Sequence, residues 1–529
     1  MEFMLLLIAI ILFSCIVANR FSDYFGMPVL ILFMGLGMLF GSDGLFKISF
    51  DNYVATEQIC TIALIFIMFY GGFGTKWEMA KPVAGKAILL STIGVVITAL
   101  LTCSFCYFVL KMNWMESFLI GAVISSTDAA SVFSILRSKS LNLKDGTASL
   151  LELESGSNDP MAYMLTMIGL VLVGNGETSS IGYMLFAQIC YGILIGVAVA
   201  ILGILLLQKT AVVSEGLDTI FILTLMLISY SLPLIIGGNG YLSVYITGII
   251  LGNSKIKNKY IMVHFFDGIT GLAQILIFFL LGLLAFPHKL PEVFLSSALI
   301  ATFLLLVARP ASIFLLLKPF KCSTKQCLLV SWAGLRGAAS IVFAIAVMAS
   351  KIGLNNDIFH IVFFVSLLSV SLQGSLLPIM ATKLDMVDEN SDVRKTFNDY
   401  QDEAAITMMR FFIPEGHNWE NRKISEVSMP TGSLALMIKR GEETLVPRGE
   451  TVILANDNLI LSVPSYTGET DVNLKEIVIG KNHIWCGKSI QELNLPKDIL
   501  VAMIKRGDES IIPRGKTLLE ENDIVVIYN

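Results

Sequence analysis

Leu151-Glu152-Leu153-Glu154-Ser155-Gly156-Ser157-Asn158-Asp159-Pro160 lies inside an apolar run that extends roughly from residue 147 to 173. A bilayer core takes about 20 apolar residues in a helix, so the run is long enough to cross one. Carboxylates held at that depth are costly, and they usually face a cavity or a partner. At about 100° per residue, Ser155 and Asp159 share one helix face, and Glu154 and Asn158 share the neighbouring one. Pro160 has no N–H, so the carbonyl of Gly156 loses its helical donor and is left as a free oxygen. A carboxylate, a hydroxyl, an amide and a bare carbonyl are hard ligands suited to an alkali cation. Nothing here resembles the Cys/His set of a transition-metal site.

The whole chain supports a membrane reading. It has 529 residues, of which 55% are hydrophobic and 15% charged, with mean hydropathy +0.75; soluble domains carry about a quarter charged residues. Charge is also unevenly placed. Residues 1–386 hold 21 Lys+Arg and 19 Asp+Glu, whereas the last 143 residues hold 16 and 23. A near-neutral membrane body is therefore followed by an acidic soluble tail, which supplies the net charge of -5 and argues against nucleic acid as a partner. The expected segments are a transmembrane domain over 1–386, a linker over 387–402, and two small domains over 403–466 and 467–529. Thirteen apolar runs are expected as spans, over about 2–19, 28–46, 55–73, 83–110, 113–137, 147–173, 181–207, 217–236, 240–252, 261–286, 293–317, 326–349 and 357–382.

Loop charges orient these spans. The odd loops carry fourteen Lys or Arg, from Arg20 through Lys76, Lys81, Lys86, Arg137, Lys139 and Lys144 to Lys325, against Lys47, Lys111, Lys289 and Lys351 in the even ones. Basic loops favour the cytoplasm, so the N-terminus is expected outside and the tail inside. The first run lacks a basic leader and a small-residue cleavage site, and reads as a retained helix. Cys103-Ser-Phe-Cys106 has C-x-x-C spacing but lies within an apolar run, where helix packing is the better reading than redox chemistry.

Two more stretches put ionisable groups at mid-span, Gly121-Ala-Val-Ile-Ser125-Ser126-Thr127-Asp128-Ala-Ala-Ser131 in run five and Ser331-Trp-Ala-Gly334-Leu335-Arg336-Gly337-Ala-Ala-Ser340 in run twelve. Their small and polar residues predict helices interrupted at mid-depth, whose freed backbone groups line a site. An inverted repeat of six spans, with the seventh as connector, maps run five onto run twelve and run six onto run thirteen. Small residues alone would signify only close helix packing, but Asp128, Asp159 and Arg336 at matching depth point to a site. Other polar positions read more plainly. Arg309 is expected to snorkel or cap a helix, or else to gate or to pair with a charge, and Glu152 to be a solvated side chain or to line an ion path. His264, Asp267 and Gln274 suggest a polar interface, and His288 and His360 fall near outer loops.

Thr127-Asp128, Glu154-Ser155-Gly-Ser-Asn158-Asp159-Pro160 and Gly334-Leu335-Arg336-Gly337, with Phe69-Tyr70-Gly71-Gly72-Phe73, resemble the monovalent cation/proton antiporters of the NhaP type along the whole membrane body. The resemblance implies a dimer-forming domain of spans 1–3 and 8–10 beside a mobile core of spans 4–6 and 11–13. It implies that Asp159 binds either a proton or a cation, and that Asp128, Ser155, Asn158 and the backbone of Thr127 complete the alkali-cation site. Asn158 stands where electrogenic relatives carry a second Asp, which implies electroneutral exchange. Glu154 and Arg336 are implied to be the structural ion pair of the core. The chemistry is consistent: removing a carboxylate from water favours its protonated form and a bound cation favours its ionised form, so the two compete. The expected activity is exchange of K+, or alternatively Na+, for H+ across a bacterial inner membrane, with no catalytic residue and no cofactor. The competing readings are a ligand-gated cation channel, for which a T-V-G-Y-G-type filter is missing, and a membrane-anchored sensor that transports nothing.

Shifted by 66 residues, the tail aligns with itself without a gap. His417, Trp419, Ile438-Lys439-Arg440-Gly441, Pro447-Arg448-Gly449 and Asp457 recur as His483, Trp485, Ile504-Lys505-Arg506-Gly507, Pro513-Arg514-Gly515 and Asp523. Strands are expected from Leu434, Asn458, Val501 and Asp523, and short helices near Ser425 and Ser489. Both copies resemble the TrkA-C regulatory domain of potassium-conductance regulators, and the potassium preference rests on that association. No G-x-G-x-x-G follows a strand, so the usual nucleotide-binding companion is not expected. Lys439, Arg440, Arg448, Lys505, Arg506 and Arg514 form either solvated turns or a site for a small anion such as a nucleotide.

Overall fold

In the computed structural model the described residues are 2–25, 28–48, 50–128, 131–132, 135–136, 141–174, 181–209, 217–256, 259–388 and, with short gaps, 406–528. The linker beyond residue 388 and the loop residues Arg137, Lys139 and Lys257 lie outside them. The chain forms two units, Met1–Gln401 and Asp402–Asn529.

In the first unit each expected run contains helix. Spans 1 to 4 are Glu2–Phe25, Val29–Phe40, Tyr53–Gly74 and Trp77–Phe108; span 5 opens as Trp114–Ile124; spans 6 to 11 are Thr147–Val173, Ile181–Lys209, Asp218–Ile235, Gly240–Gly252, Lys259–Leu284 and Pro287–Phe320. Span 12 comes in two pieces, Thr324–Trp332 and Ala338–Ala349, and span 13 is Ile358–Lys383. Among the described residues, seven helices are long and apolar enough to cross a bilayer on length and composition alone. Polar caps set where several begin: Asn52, Asn113, Asn239, Ser323 and Asp357 each accept an N–H from the first turn of spans 3, 5, 9, 12 and 13.

Spans 1–3 and 7–10 pack on one another, as do spans 4–6 and 11–13, and spans 3 and 9 of the first group meet spans 6 and 12 of the second. Glycine lets the backbones approach. A Cβ on Gly37 of span 2 would lie 2.8 Å from Cα of Gly282 in span 10, and one on Gly72 of span 3 would lie 2.9 Å from the amide of Ile249 in span 9. Gly121 similarly meets the amide of Cys103, which leaves that cysteine a packing role. Among the described residues three π-helical turns occur, Leu90–Gly94, Leu304–Ala308 and Ser369–Gly374, and these fall in the second group, in spans 4, 11 and 13. Such turns often mark functional sites.

The second unit holds two sheets of identical topology. Strands β3 (Ile406–Phe412), β4 (Leu434–Arg440), β5 (Glu443–Leu445) and β6 (Asn458–Pro464) are ordered β3-β6-β4-β5. Strands β7 (Leu474–Val478), β8 (Leu500–Arg506), β9 (Glu509–Ile511) and β10 (Ile524–Tyr528) are ordered β7-β10-β8-β9. Even the β-bulge repeats, between Ala435 and Met437 and between Val501 and Met503. The expected short helices are 3₁₀ turns, Ile424–Glu426 and Ile490–Leu493.

Each sheet is pinned by one arginine. Arg440 grips the fully buried Asp457 with two bonds of 2.8 Å and Val452 O with one of 3.0 Å. Arg506 does the same to Asp523 and Leu518 O. Neither of the two expectations for Arg440 and Arg506, solvated turns or a site for a small anion, allows for these bonds, and both are corrected: Nε and Nη2 of each arginine hold a buried carboxylate of its own sheet. Lys439, Lys505, Arg448 and Arg514 remain exposed. Burial alone would raise the Asp457 carboxyl, but hydrogen bonds from Arg440 and the Leu454 amide outweigh it and hold the group below the usual carboxylate range. A depressed carboxyl stabilises the fold above its unfolded-state value and loses that contribution as pH falls through the folded value. Asp457→Asn is expected to destabilise the first sheet by about 2 kcal/mol at neutral pH, and to flatten its acid unfolding, measured by tryptophan fluorescence at Trp419.

Candidate functional site

Both interrupted spans break where the sequence turns polar. After Ile124, residues 125–128 leave the helix, and after Trp332, residues 333–337 do so. The two breaks are bonded to each other. The amide of Asp128 donates to Leu335 O at 2.9 Å, and the Arg336 guanidinium donates to the carbonyls of Ser125 and Ser126 at 2.8 and 2.7 Å. Backbone acceptors freed by the first break are thus satisfied by a charge from the second, as buried carbonyls require. The Arg336 amide is taken by Ser369 Oγ at 3.0 Å, and Gln373 and Trp332 exchange bonds of 3.1 Å, so span 13 closes the other side of the break.

Span 6 supplies the carboxylate. Asp159 is 8% exposed, and Ser126 Oγ donates to its Oδ1. Asn158 is fully buried; its amide nitrogen donates to Thr127 Oγ1 and its oxygen accepts the Thr127 N–H at 3.3 Å. Ser155 Oγ lies 2.8 Å from Thr127 Oγ1. Thr127, Ser155, Asn158 and Asp159 are therefore brought together by direct bonds between the break of span 5 and two adjoining faces of span 6. Asp128 accepts from the amide and hydroxyl of Ser131, and a Cβ on Gly337 would overlap its carboxylate. Gly337 is thus required by close approach rather than by backbone conformation.

The expected pairing of Glu154 with Arg336 is not what forms. Glu154, fully buried, accepts from Arg309 Nη2 at 2.8 Å, and Arg309 is itself only 3% exposed. Arg336 instead directs Nη1 to the carbonyls of Ser125 and Ser126 in span 5. Arg309 can reach because a π turn precedes it and Gly334 leaves room; a Cβ there would lie 2.6 Å from Arg309 Nε. Of the two readings of Arg309, the snorkelling or capping one is corrected and the pairing one is what forms. Glu152 is likewise not a solvated group: it is buried and accepts from Thr75 Oγ1 of span 3 at 2.6 Å. His360 is buried too, with Nδ1 2.7 Å from Asp357 and Nε2 accepting the Phe286 amide at 3.0 Å. Sequence reasoning also missed Ser126, Ser369 and Gln373, although Ser126 stood within the cluster it singled out.

Paired broken helices meeting around a buried carboxylate at mid-depth define a secondary transporter. The chain belongs to the sodium/hydrogen exchanger family, whose transmembrane model matches residues 6–383, and it carries two TrkA-C domains, matched at 408–465 and 474–528. It is 33% identical to the K(+)/H(+) antiporter NhaP2 of Shewanella sp. strain ANA-3, over 83% of this chain and 77% of that protein. It is 31% identical to the K(+)/H(+) antiporter NhaP of Alkalimonas amylolytica, over 86% and 80%. The fold is similar to that of the sodium proton antiporter MjNhaP1 of Methanocaldococcus jannaschii, with TM-score 0.63 and 24% identity, covering 73% of this chain and 99% of that one.

Proposed function

We propose that the protein is a secondary antiporter that exchanges K+ for H+ across a bacterial inner membrane, one for one, with its N-terminus outside and its TrkA-C pair in the cytoplasm. Asp159 holds either the proton or the cation, and Thr127, Asp128, Ser155 and Asn158 complete the cation's oxygen shell. The observation that carries this reading is that Asp159, 8% exposed, lies among the oxygens of the span 5 break and span 6, while the buried Arg309 and Arg336 are bonded to Glu154 and to backbone carbonyls. A proton or a monovalent cation can neutralise Asp159 there. An unneutralised charge in hydrocarbon is costly, so the loaded core crosses and the empty one does not, and exchange is obligatory. Asn158 supports electroneutrality because an amide adds no second charge to be compensated.

Potassium as substrate is supported by the two potassium-exchanging relatives, and the TrkA-C pair supports control by a small cytoplasmic ligand. Two copies associate through spans 1–3 and 8–10, the arrangement that the antiporter resemblance implies. Proteoliposomes with an internal pH dye test the substrate. External K+ is expected to drive proton movement at lower concentration than Na+ or Li+, with no response to an imposed membrane potential. Na+ ahead of K+ would reassign the substrate, and proton flux without any cation would refute antiport.

A further inference from the structure

The chain leaves span 13 through a left-handed residue that is not glycine. Asp385 has φ +55°; its amide bonds Thr382 O and that of Met386 bonds Ala381 O, each at 3.0 Å. This pair of bonds closes many helices, and the left-handed position is usually glycine because a Cβ is strained there. What the aspartate gains is contacts. Lys144 Nζ donates to Asp385 Oδ1 at 2.9 Å and to its carbonyl at 3.1 Å, and Lys325 Nζ reaches Oδ2 at 3.4 Å. Lys144 lies three residues before span 6, and Lys325 is the second residue of span 12.

The main chain repeats the tie. Lys144 N donates to Met386 O at 2.8 Å, and β1 (Asn142–Leu143) pairs antiparallel with β2 (Val387–Asp388). Gln326 Nε2 then links span 12 back to Asp145 O at 3.3 Å and Thr147 Oγ1 at 3.1 Å. The starts of the two spans that carry Asp159 and Arg336 are therefore fastened to residues 385–388, where the chain leaves span 13 and enters the linker. The ion pairs are exposed, and each alone is weak; it is their joint placement on a strained residue that calls for an explanation.

We propose that Asp385 is a positioning residue and that residues 385–388 form the joint through which the cytoplasmic tail sets the rate of exchange. The inference rests on the antiport reading above. A pull or release of the tail reaches the heads of spans 6 and 12 together, through Lys144 and Lys325, without passing through the ion ligands.

The test uses the full chain reconstituted in proteoliposomes. Asp385→Gly suits the left-handed backbone, so its melting temperature is expected to equal or exceed that of the unaltered protein. Its maximal exchange rate is expected to change at least threefold with the half-saturating K+ concentration unmoved, and Asp385→Glu to restore the original rate. A Gly-Ser insertion of six residues after Val393 slackens the tail without touching the joint; it is expected to change the rate by a similar factor and to add nothing in the Asp385→Gly background. Additive effects, an altered rate with an ineffective insertion, or an unaltered rate in Asp385→Gly would each overturn the joint. Failure of the unaltered protein to exchange would instead overturn the antiport reading.

Discussion

Asp159→Asn is expected to abolish cation-driven proton movement while the protein remains folded and at normal abundance in the membrane. The amide has the shape of the carboxyl, and its oxygen can still accept from Ser126 Oγ, which donates to Asp159 Oδ1. What disappears is the charge that a cation needs and the oxygen that takes the proton. Charge-assisted bonds contribute about 1.5–3 kcal/mol, and each 1.4 kcal/mol is about tenfold, so the lost charge alone weakens cation binding by roughly 10- to 100-fold, and the loss of the proton-accepting oxygen removes the coupled exchange that remains. Dye-monitored exchange in proteoliposomes measures it, with size-exclusion profiles showing that the variant is intact. Undiminished exchange in an intact variant would remove Asp159 from the mechanism.

Breaking the buried pair of Glu154 and Arg309 is expected to be the most destabilising change in the membrane body. Removing one partner leaves an uncompensated charge, which costs about 3–5 kcal/mol, whereas removing both with apolar groups of similar volume is often near neutral. Glu154→Gln and Arg309→Met should each collapse thermal stability in detergent, and the double substitution should recover most of it. The same cycle with Arg336 in place of Arg309 should show a much smaller coupling, because Arg336 donates to the carbonyls of Ser125 and Ser126. Equal couplings in the two cycles would mean that Glu154 serves both arginines alike.

How much of this was legible in the sequence depended on whether a residue's partner lay in the pattern or across the fold. Thirteen spans, two breaks and a tail written twice follow from apolar run length and self-similarity, which are local properties. Thr127, Ser155, Asn158 and Asp159 were legible because polar groups in hydrocarbon are rare. The partner of Glu154 was not. Two buried arginines were candidates, and the choice turned on a π turn before Arg309 and on the room left by Gly334, neither of which has a signature in a single sequence. Arg440 and Arg506 misled for a related reason. A repeated basic turn looks the same whether it awaits a ligand or already holds Asp457 and Asp523. Strands β3 and β7 escaped because their sequences alternate poorly, and they are placed by pairing with β6 and β10.

The bonds that join the two breaks, from the Asp128 amide to Leu335 O and from Arg336 to Ser125 O and Ser126 O, bear on thermodynamics as well as shape. Under the proposed exchange, fastening the two breaks to each other lets them shift together rather than separately. The proposed site has no energy source of its own, so the exchanger is a reversible balance whose direction is set by the gradients across the membrane, and the structure's part is to couple the two ions.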